Sequence, residues 1–324
     1  MALTAPAIGA VASDPAASDA LTFSSRTRLL VIAPHPDDET IAAGLLIQRV
    51  RAAGGAVKIL LLTAGDNNPW PQRWVERRAR IGQQDRLRWG RRRSGELQAA
   101  LQRLDVAPDS LQAMGWPDMR LTDVLCTRHG EAIAALAGVI GAFQPGIIAL
   151  PALADRHPDH GAAHVLARLA LAGQAAAPIL LSYLIHGRVA AAEPIQVAGT
   201  AAQSAAKLYA LAAHRSQMAL SGKRMRRLAS APERYVALPR HVPMPGTALP
   251  WQPPVWLQSR LQISLADRAG VQSWRWAAAP LRRADDGVYH LAPAAGDNVG
   301  PRFARLACDL PSPWIFDHWG WCEL

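Results

Sequence analysis

The sequence predicts an α/β fold in which a mostly parallel, Rossmann-like sheet is flanked by helices and followed by a small β-rich C-terminal extension. Three observations predict it. Arg28–Ala33 and Val57–Thr63 are short apolar runs that bracket Ile41, Leu45, Leu46 and Val50 at helical spacing, a βαβ opening whose crossover should be right-handed and whose strands should be parallel. A later apolar run, Ile147–Leu150, is again followed by a helical stretch. Beyond prolines at 239, 243, 245, 250, 253 and 254 the pattern changes to period two, with Leu257, Leu261, Ile263 and Leu265 alternating with Gln258, Arg260, Gln262 and Ser264.

The elements follow in order. Residues 1–25 are mostly Ala, Ser, Pro and Thr, with neither the positive start nor the continuous apolar segment of a secretory signal, so a flexible lead-in to a domain over 26–240 is expected. Thr40–Ala53 is the first helix, ended by Gly54-Gly55. No G-x-G-x-x-G accompanies it, which removes a dinucleotide site. Helices are expected at Ser94–Leu104, Glu131–Phe143, His160–Leu171 and Lys207–Leu220, with strands at Leu111–Gly115, Gly146–Leu150, Pro178–His186, Pro194–Val197 and Val236–Leu238. Residues 241–324 are expected as a Pro-rich linker and a Trp-rich β extension. Within it Val255–Leu265 forms a strand and Asp285-Asp286-Gly287 turns a hairpin into Val288–Leu291. Seven of the eleven tryptophans, at 251, 256, 274, 276, 314, 319 and 321, belong to this part, as its core or as a carbohydrate surface.

At 324 residues, half of them hydrophobic, the chain has material for one large core with an appendage. Its three cysteines, 126, 308 and 322, are far apart and imply neither a disulfide framework nor a thiolate zinc site, so a reducing, cytoplasmic location is expected. The longest apolar region, Ala134–Ala154, is broken by Gln144-Pro145-Gly146, which argues against a membrane span. The formal charge of +10 is concentrated in 67–93, where nine arginines stand against Glu76 and Asp85, a net +7, with Trp70, Trp74 and Trp89 among them. This segment reads as a solvated face, as a flap for an anionic or polyhydroxylated substrate, or as a nucleic-acid surface of Arg and stacking Trp.

The chemistry is concentrated where two strands end. After Arg28–Ala33 comes His35-Pro36-Asp37-Asp38-Glu39, and after Ile147–Leu150 comes Asp155-Arg156-His157-Pro158-Asp159-His160. Ionised carboxylates are not buried unpaired, and parallel strands bring both turns to one carboxyl edge, where open α/β sheets bind ligands. His35, Asp37, Asp38, His157, Asp159 and His160 thus form a borderline donor set suited to zinc and tolerant of other divalent ions. A pure nucleic-acid binder has no need of such a set. His160 and His164 lie four apart, but Gly161 stands where H-E-x-x-H requires Glu, so His164 is expected to pack.

With these two turns the sequence resembles the zinc-dependent LmbE-like, or PIG-L, N-acetylglucosaminyl deacetylases. Further resemblances are Arg93-Ser94-Gly95-Glu96-Leu97 to the family's R-x-x-E-L helix start, Gly115-Trp116-Pro117-Asp118 to its substrate loop, and Lys207 with His214-Arg215-Ser216-Gln217 to its K-(x)6-H-x-S-Q helix. The resemblance covers roughly 27–240 and implies hydrolysis of an acetamide on an N-acetylglucosamine-type small molecule or glycoconjugate. It implies Zn²⁺, with Fe²⁺ or another divalent metal as substitutes, on His35, Asp38 and His160. Asp37 would be the base, and His157, oriented by Asp159, an electrostatic stabiliser or general acid. Arg93 and Asp118 would bind sugar hydroxyls. Some relatives carry a Tyr just before the second turn; Asp155-Arg156 stands there instead, and Arg156 is the candidate for its role. A non-sugar amide is the alternative substrate.

Overall fold

The computed structural model describes residues 21–174, 177–187, 194–239, 247–291, 300–310 and 315–324. Most of the expected lead-in, together with Pro243, Pro245 and Trp314, lies outside the described residues.

Strands β1 (Arg28–Ala33), β2 (Ala56–Thr63), β3 (Leu111–Trp116), β4 (Ile147–Pro151), β5 (Ile179–Tyr183), β6 (Ile195–Val197) and β7 (Glu233–Leu238) form a seven-stranded sheet in the order β3-β2-β1-β4-β5-β7-β6. The first five are parallel, and β7 runs antiparallel to both β5 and β6. Strand β1 is apolar throughout because both its faces are covered. Leu29, Val31 and Ala33 enter one core layer with α1 (Asp38–Ala52), α3 (Gln83–Arg103), α7 (Ala201–Leu211) and α8 (Arg215–Ser230). Leu30 and Ile32 enter the other with α4 (Leu121–Thr127), α5 (His129–Phe143) and α6 (Pro158–Leu171). The short α2 (Pro69–Glu76) packs on α8. Chain order reverses between β1 and β4, which have β2 and β5 on their outer sides, so the crevice above their carboxyl ends is a topological switch point.

Three elements differ from the sequence expectation. The helix expected from Ser94 begins at Gln83, because Asp85 Oδ2 accepts the Gly82 N–H (3.0 Å) and caps the turn; Arg93 is therefore at mid-helix, not at a helix start. The single helix expected over Lys207–Leu220 is two, α7 and α8. His214 turns inward at the break, and Glu96 accepts from the Ser216 N–H (3.0 Å) and hydroxyl (2.6 Å) at the start of α8. Val255–Gln258 is one helical turn set by Pro254, and the strand starts only at Leu261.

The C-terminal part forms an antiparallel sheet of β8 (Leu261–Asp267), β9 (Gly270–Arg275), β12 (Phe303–Cys308) and β13 (Gly320–Glu323), beside the hairpin of β10 (Leu281–Arg283) and β11 (Tyr289–Leu291). Phe303, Ala266 and Trp321 join the second core layer of the large sheet. Trp321 rests on Gly161 of α6, where any Cβ would lie 3.1 Å from the indole. Arg168 of α6 holds Glu323 through two contacts, of 2.7 and 3.2 Å. Trp251 and Trp276 are also core, whereas Trp256 is exposed. No single described helix is long and apolar enough to cross a membrane.

Candidate metal centre

Both strand-end turns meet at the switch point. His35 Nδ1 and His160 Nε2 each lie 3.3 Å from the same oxygen, Asp38 Oδ2. Behind His35, Nε2 faces Asp118 Oδ1 and Asp159 Oδ2, both at 3.2 Å; behind His160, Nδ1 faces Asp155 Oδ2 at 3.1 Å. Carboxylates only accept, so the outer ring nitrogens carry the protons. A neutral imidazole at either position then directs its inner lone pair at a carboxylate oxygen, which requires a cation between them: a proton or a metal ion. Burial lowers both imidazole pKa values, yet the surrounding carboxylates outweigh it, raising His35 well above the ordinary range and His160 to about 10. The contacts of His160 lack hydrogen-bond alignment at both nitrogens, although the ring is fully buried. Imidazole nitrogens turned to a shared carboxylate and backed by other carboxylates fit a divalent metal and its orienting partners.

Other combinations of donors converge here: His35, His157 and His160; Asp155, His160 and His186; His35, Asp118 and Asp159. His157 is separated from the ligands by its tautomer. It caps α6 by accepting the Asp159 N–H at Nδ1 (3.2 Å), so the neutral ring carries its proton on Nε2 and has no lone pair left there for a metal. Burial first, then the positive charge of His35 and His160, holds His157 well below its ordinary pKa. The expected partner of His157, the Asp159 carboxylate, instead faces His35 and accepts the N–H groups of Met119 (2.8 Å) and Leu121 (3.0 Å). It is the Asp159 backbone that orients His157.

Asp37 occupies a backbone conformation with φ of 124°, costly for a residue with a Cβ. Glu39 Oε2 accepts its N–H (3.0 Å), and Arg93 NH2 donates to Pro36 O (2.6 Å) while lying 3.5 Å from Asp37 Oδ2. Burial raises the Asp37 carboxyl to about 6 against the opposing charge of Arg93. Arg93 NH1 donates to Gly65 O (2.6 Å), and Gly65, with φ of 62°, has no room for a Cβ beside that guanidinium. Arg93 is thus buried against the turn. Asp118, likewise buried, accepts the Asn67 N–H (2.6 Å) as well as facing His35. Of the three residues expected to bind substrate, Arg156 alone is exposed.

Sequence reasoning did not single out Asp155 and Glu39 as site residues, and it placed His186 and the helix carrying His214 only near the site. Asp155 accepts the N–H groups of His157 (3.0 Å), Ile185 (2.9 Å) and His186 (3.0 Å), and, against burial, the charge of His160 in front of it is the main cause that keeps it ionised. Glu39 lies 3.3 Å from His214. The signal of Asp155 and Glu39 was positional, since each is a carboxylate inside one of the two turns. His164, expected to pack, is buried on Pro151 O (2.8 Å) and Phe303.

A family model described as PIG-L, GlcNAc-PI de-N-acetylase, matches residues 30–171. Over 157 residues the chain is 31% identical to a 1D-myo-inositol 2-acetamido-2-deoxy-alpha-D-glucopyranoside deacetylase of Mycobacteroides abscessus, covering 44% of this chain and 55% of the relative. The enzyme of the same description from Mycobacterium avium is 34% identical over 146 residues, covering 41% and 47%. The chain thus spans about half the length of these curated relatives. Among solved structures, N,N'-diacetylchitobiose deacetylase from Pyrococcus horikoshii shares the fold with a TM-score of 0.52 at 18% identity, covering 66% of this chain and 84% of that one. A deacetylase of the teicoplanin biosynthetic pathway does so with a TM-score of 0.51 at 21% identity, covering 63% and 88%. Both turns, and every carboxylate and imidazole that surrounds Asp38 within 3.3 Å or backs those imidazoles, lie inside the matched segment, so the candidate centre falls within the part of the chain that is similar to the PIG-L (LmbE-like) family.

Proposed function

We propose that the protein is a divalent-metal-dependent N-deacylase, using zinc, that hydrolyses the acetamide of an N-acetylglucosamine-type glycoconjugate. The observation that carries this reading is the pair of imidazole nitrogens turned to one oxygen of Asp38, each backed by a further carboxylate. His35, Asp38 and His160 are the residues that would hold the ion, which when bound supplies Lewis acidity at the amide carbonyl and lowers the pKa of water toward about 7.

The other groups have separable tasks. Asp37, raised to about 6, accepts the proton of the attacking water and returns it to the departing amine nitrogen as the C–N bond breaks. Glu39 and Arg93 hold its backbone in place for this. His157, neutral with its proton on Nε2, donates a hydrogen bond to the oxygen on which negative charge develops. Asp118 and Asp159 orient His35, and Asp155 orients His160. Arg156 is left to meet the substrate. The 2-acetamido sugar is supported by the activities named for the mycobacterial relatives.

The test is amine and acetate release by the zinc-loaded protein from N-acetylglucosamine and from its inositol and phosphate-bearing glycosides, beside N-acetylated amino acids. Turnover of the sugars is expected. Hydrolysis confined to the amino-acid amides would assign the site to a non-sugar substrate.

A further inference from the structure

Phe316, four residues before β13, reaches the candidate metal centre. The Phe316 ring lies 5.3 Å from that of His186 and 6.3 Å, edge-on, from that of His157; the Arg156 guanidinium stands 5.8 Å above it. Its placement is held on both sides. The Asp317 N–H donates to Arg156 O (2.8 Å), Arg305 of β12 donates to Asp317 Oδ1 (2.8 Å), and Trp321 is seated on Gly161, next to His160. The ring remains partly exposed, so the residues just before β13 place one aromatic side chain beside His157.

The two flanks of the centre differ in polarity. On the β2–β3 side are Asp66, Asn67 and Asp118, the last accepting the Asn67 N–H and facing His35. On the β5 side are Phe316 and the imidazole of His186. An amide whose carbonyl sits at His157 extends one substituent to each flank: a polyhydroxylated ring matches the polar one, and an alkyl group matches the aromatic one.

We propose that Phe316 is a specificity-determining residue, the wall on which the acyl group of the amide rests and which limits its length. This rests on the deacylase reading. The experiment measures kcat/KM of the zinc-loaded wild type, Phe316→Ala, Phe316→Leu and Phe316→Trp on N-acetyl-, N-propionyl- and N-butyrylglucosamine, with N-acetylgalactosamine as a control for the sugar side. The butyryl-to-acetyl ratio should rise by roughly tenfold or more in the alanine variant, since a methylene in an apolar pocket is worth about 10–200-fold. It should rise less with leucine and fall with tryptophan, while zinc content, urea midpoint and the gluco-to-galacto ratio stay at wild-type values. An unchanged acyl ratio overturns the proposal, as does a change confined to the sugar ratio. Variants that lose zinc or fold would make Phe316 structural and equally overturn it, whereas no wild-type turnover of any of these amides would remove the deacylase reading and the wall with it.

Discussion

At the scale of single residues, Asp37 and Asp38 are neighbours of the same chemistry that the turn sends to different tasks. Asp38 is held ionised by two imidazoles, whereas Asp37, strained and half-buried, is raised to about 6 by desolvation. Asp37→Asn should therefore keep its zinc and lose about 10²–10⁴ in kcat, the usual contribution of a positioned base. Asp38→Asn should lose zinc first and recover part of its activity when zinc is added in excess. Metal content and rate, measured for both variants with and without added zinc, decide this, and the reverse pattern would exchange the two roles. His164 offers a test independent of the metal. Burial holds its pKa at about 4, against about 6.5 in an unfolded chain, so between these values the unfolded state binds more protons and stability falls as pH falls. Going from pH 7.5 to 5 should cost about 2 kcal/mol through this residue. Urea midpoints at both pH values should show a smaller acid loss in His164→Asn than in the wild type, and equal losses would mean that His164 is not kept neutral. The two turns that meet at the switch point were legible because each His-Pro-Asp follows an apolar strand within a few residues. Their orienting carboxylates were less so: Asp155 serves His160 only through the turn of α6, and Asp159 faces His35 across 124 positions of sequence.

At the scale of elements, strand β1 could be read to its end residues, since a run buried on both faces is bounded by polar residues and a turn. Helix starts were read worse. The α3 cap is Gly82, silent as a residue type, and its stabilising group is the Asp85 side chain three positions inside the helix. The break between α7 and α8 contains neither Gly nor Pro and exists because Glu96 and Glu39, from distant elements, claim Ser216 and His214. The Lys207 motif is likewise structural. Lys207 Nζ donates to Glu233 Oε1 (2.6 Å), Glu233 accepts the N–H groups of Leu45 (2.7 Å) and Leu46 (2.9 Å), and Tyr235 donates to Ala42 O (2.7 Å). Strand β7 thereby inserts side chains into the hydrogen-bond ladder of α1, the helix that carries Asp38 and Glu39. Removing one member of a fully buried pair leaves a charge uncompensated, so Lys207→Met should lower stability by about 3 kcal/mol in urea unfolding. Lys207→Met with Glu233→Gln should regain part of that loss. If the single variant were as stable as the wild type, the clamp would contribute nothing.

At the scale of the whole molecule, the excess positive charge has a definite address. Glu76 and Asp85 are already engaged by Arg78 and Arg88, so Arg77 and Arg80 in the turn after α2, and Arg86 and Arg91 on α3, stand exposed with no ion pair among the described residues. Trp70 and Trp74, 65% and 68% exposed, lie on the same segment. It adjoins the centre, because Asn67, just before α2, holds Asp118, which in turn faces His35. Guanidinium groups beside the polar flank suit an anionic aglycone under the deacylase reading, and a nucleic-acid surface has the same composition; salt separates the two. A surface neutralising four phosphates of a duplex would lose affinity with a slope of about −3.6 in log K against log salt. The expectation is otherwise: no measurable DNA or RNA affinity at 0.15 M salt, and, when all four arginines are changed to Gln, a KM raised severalfold for a phosphate-bearing N-acetylglucosaminide with kcat/KM for uncharged N-acetylglucosamine unchanged. The charge belongs to substrate recognition only if the two substrates part in this way. Micromolar nucleic-acid binding with the steep slope, abolished by the same four changes, would assign α2 and α3 to a polyanion instead and leave the metal centre beneath them to explain itself on other grounds.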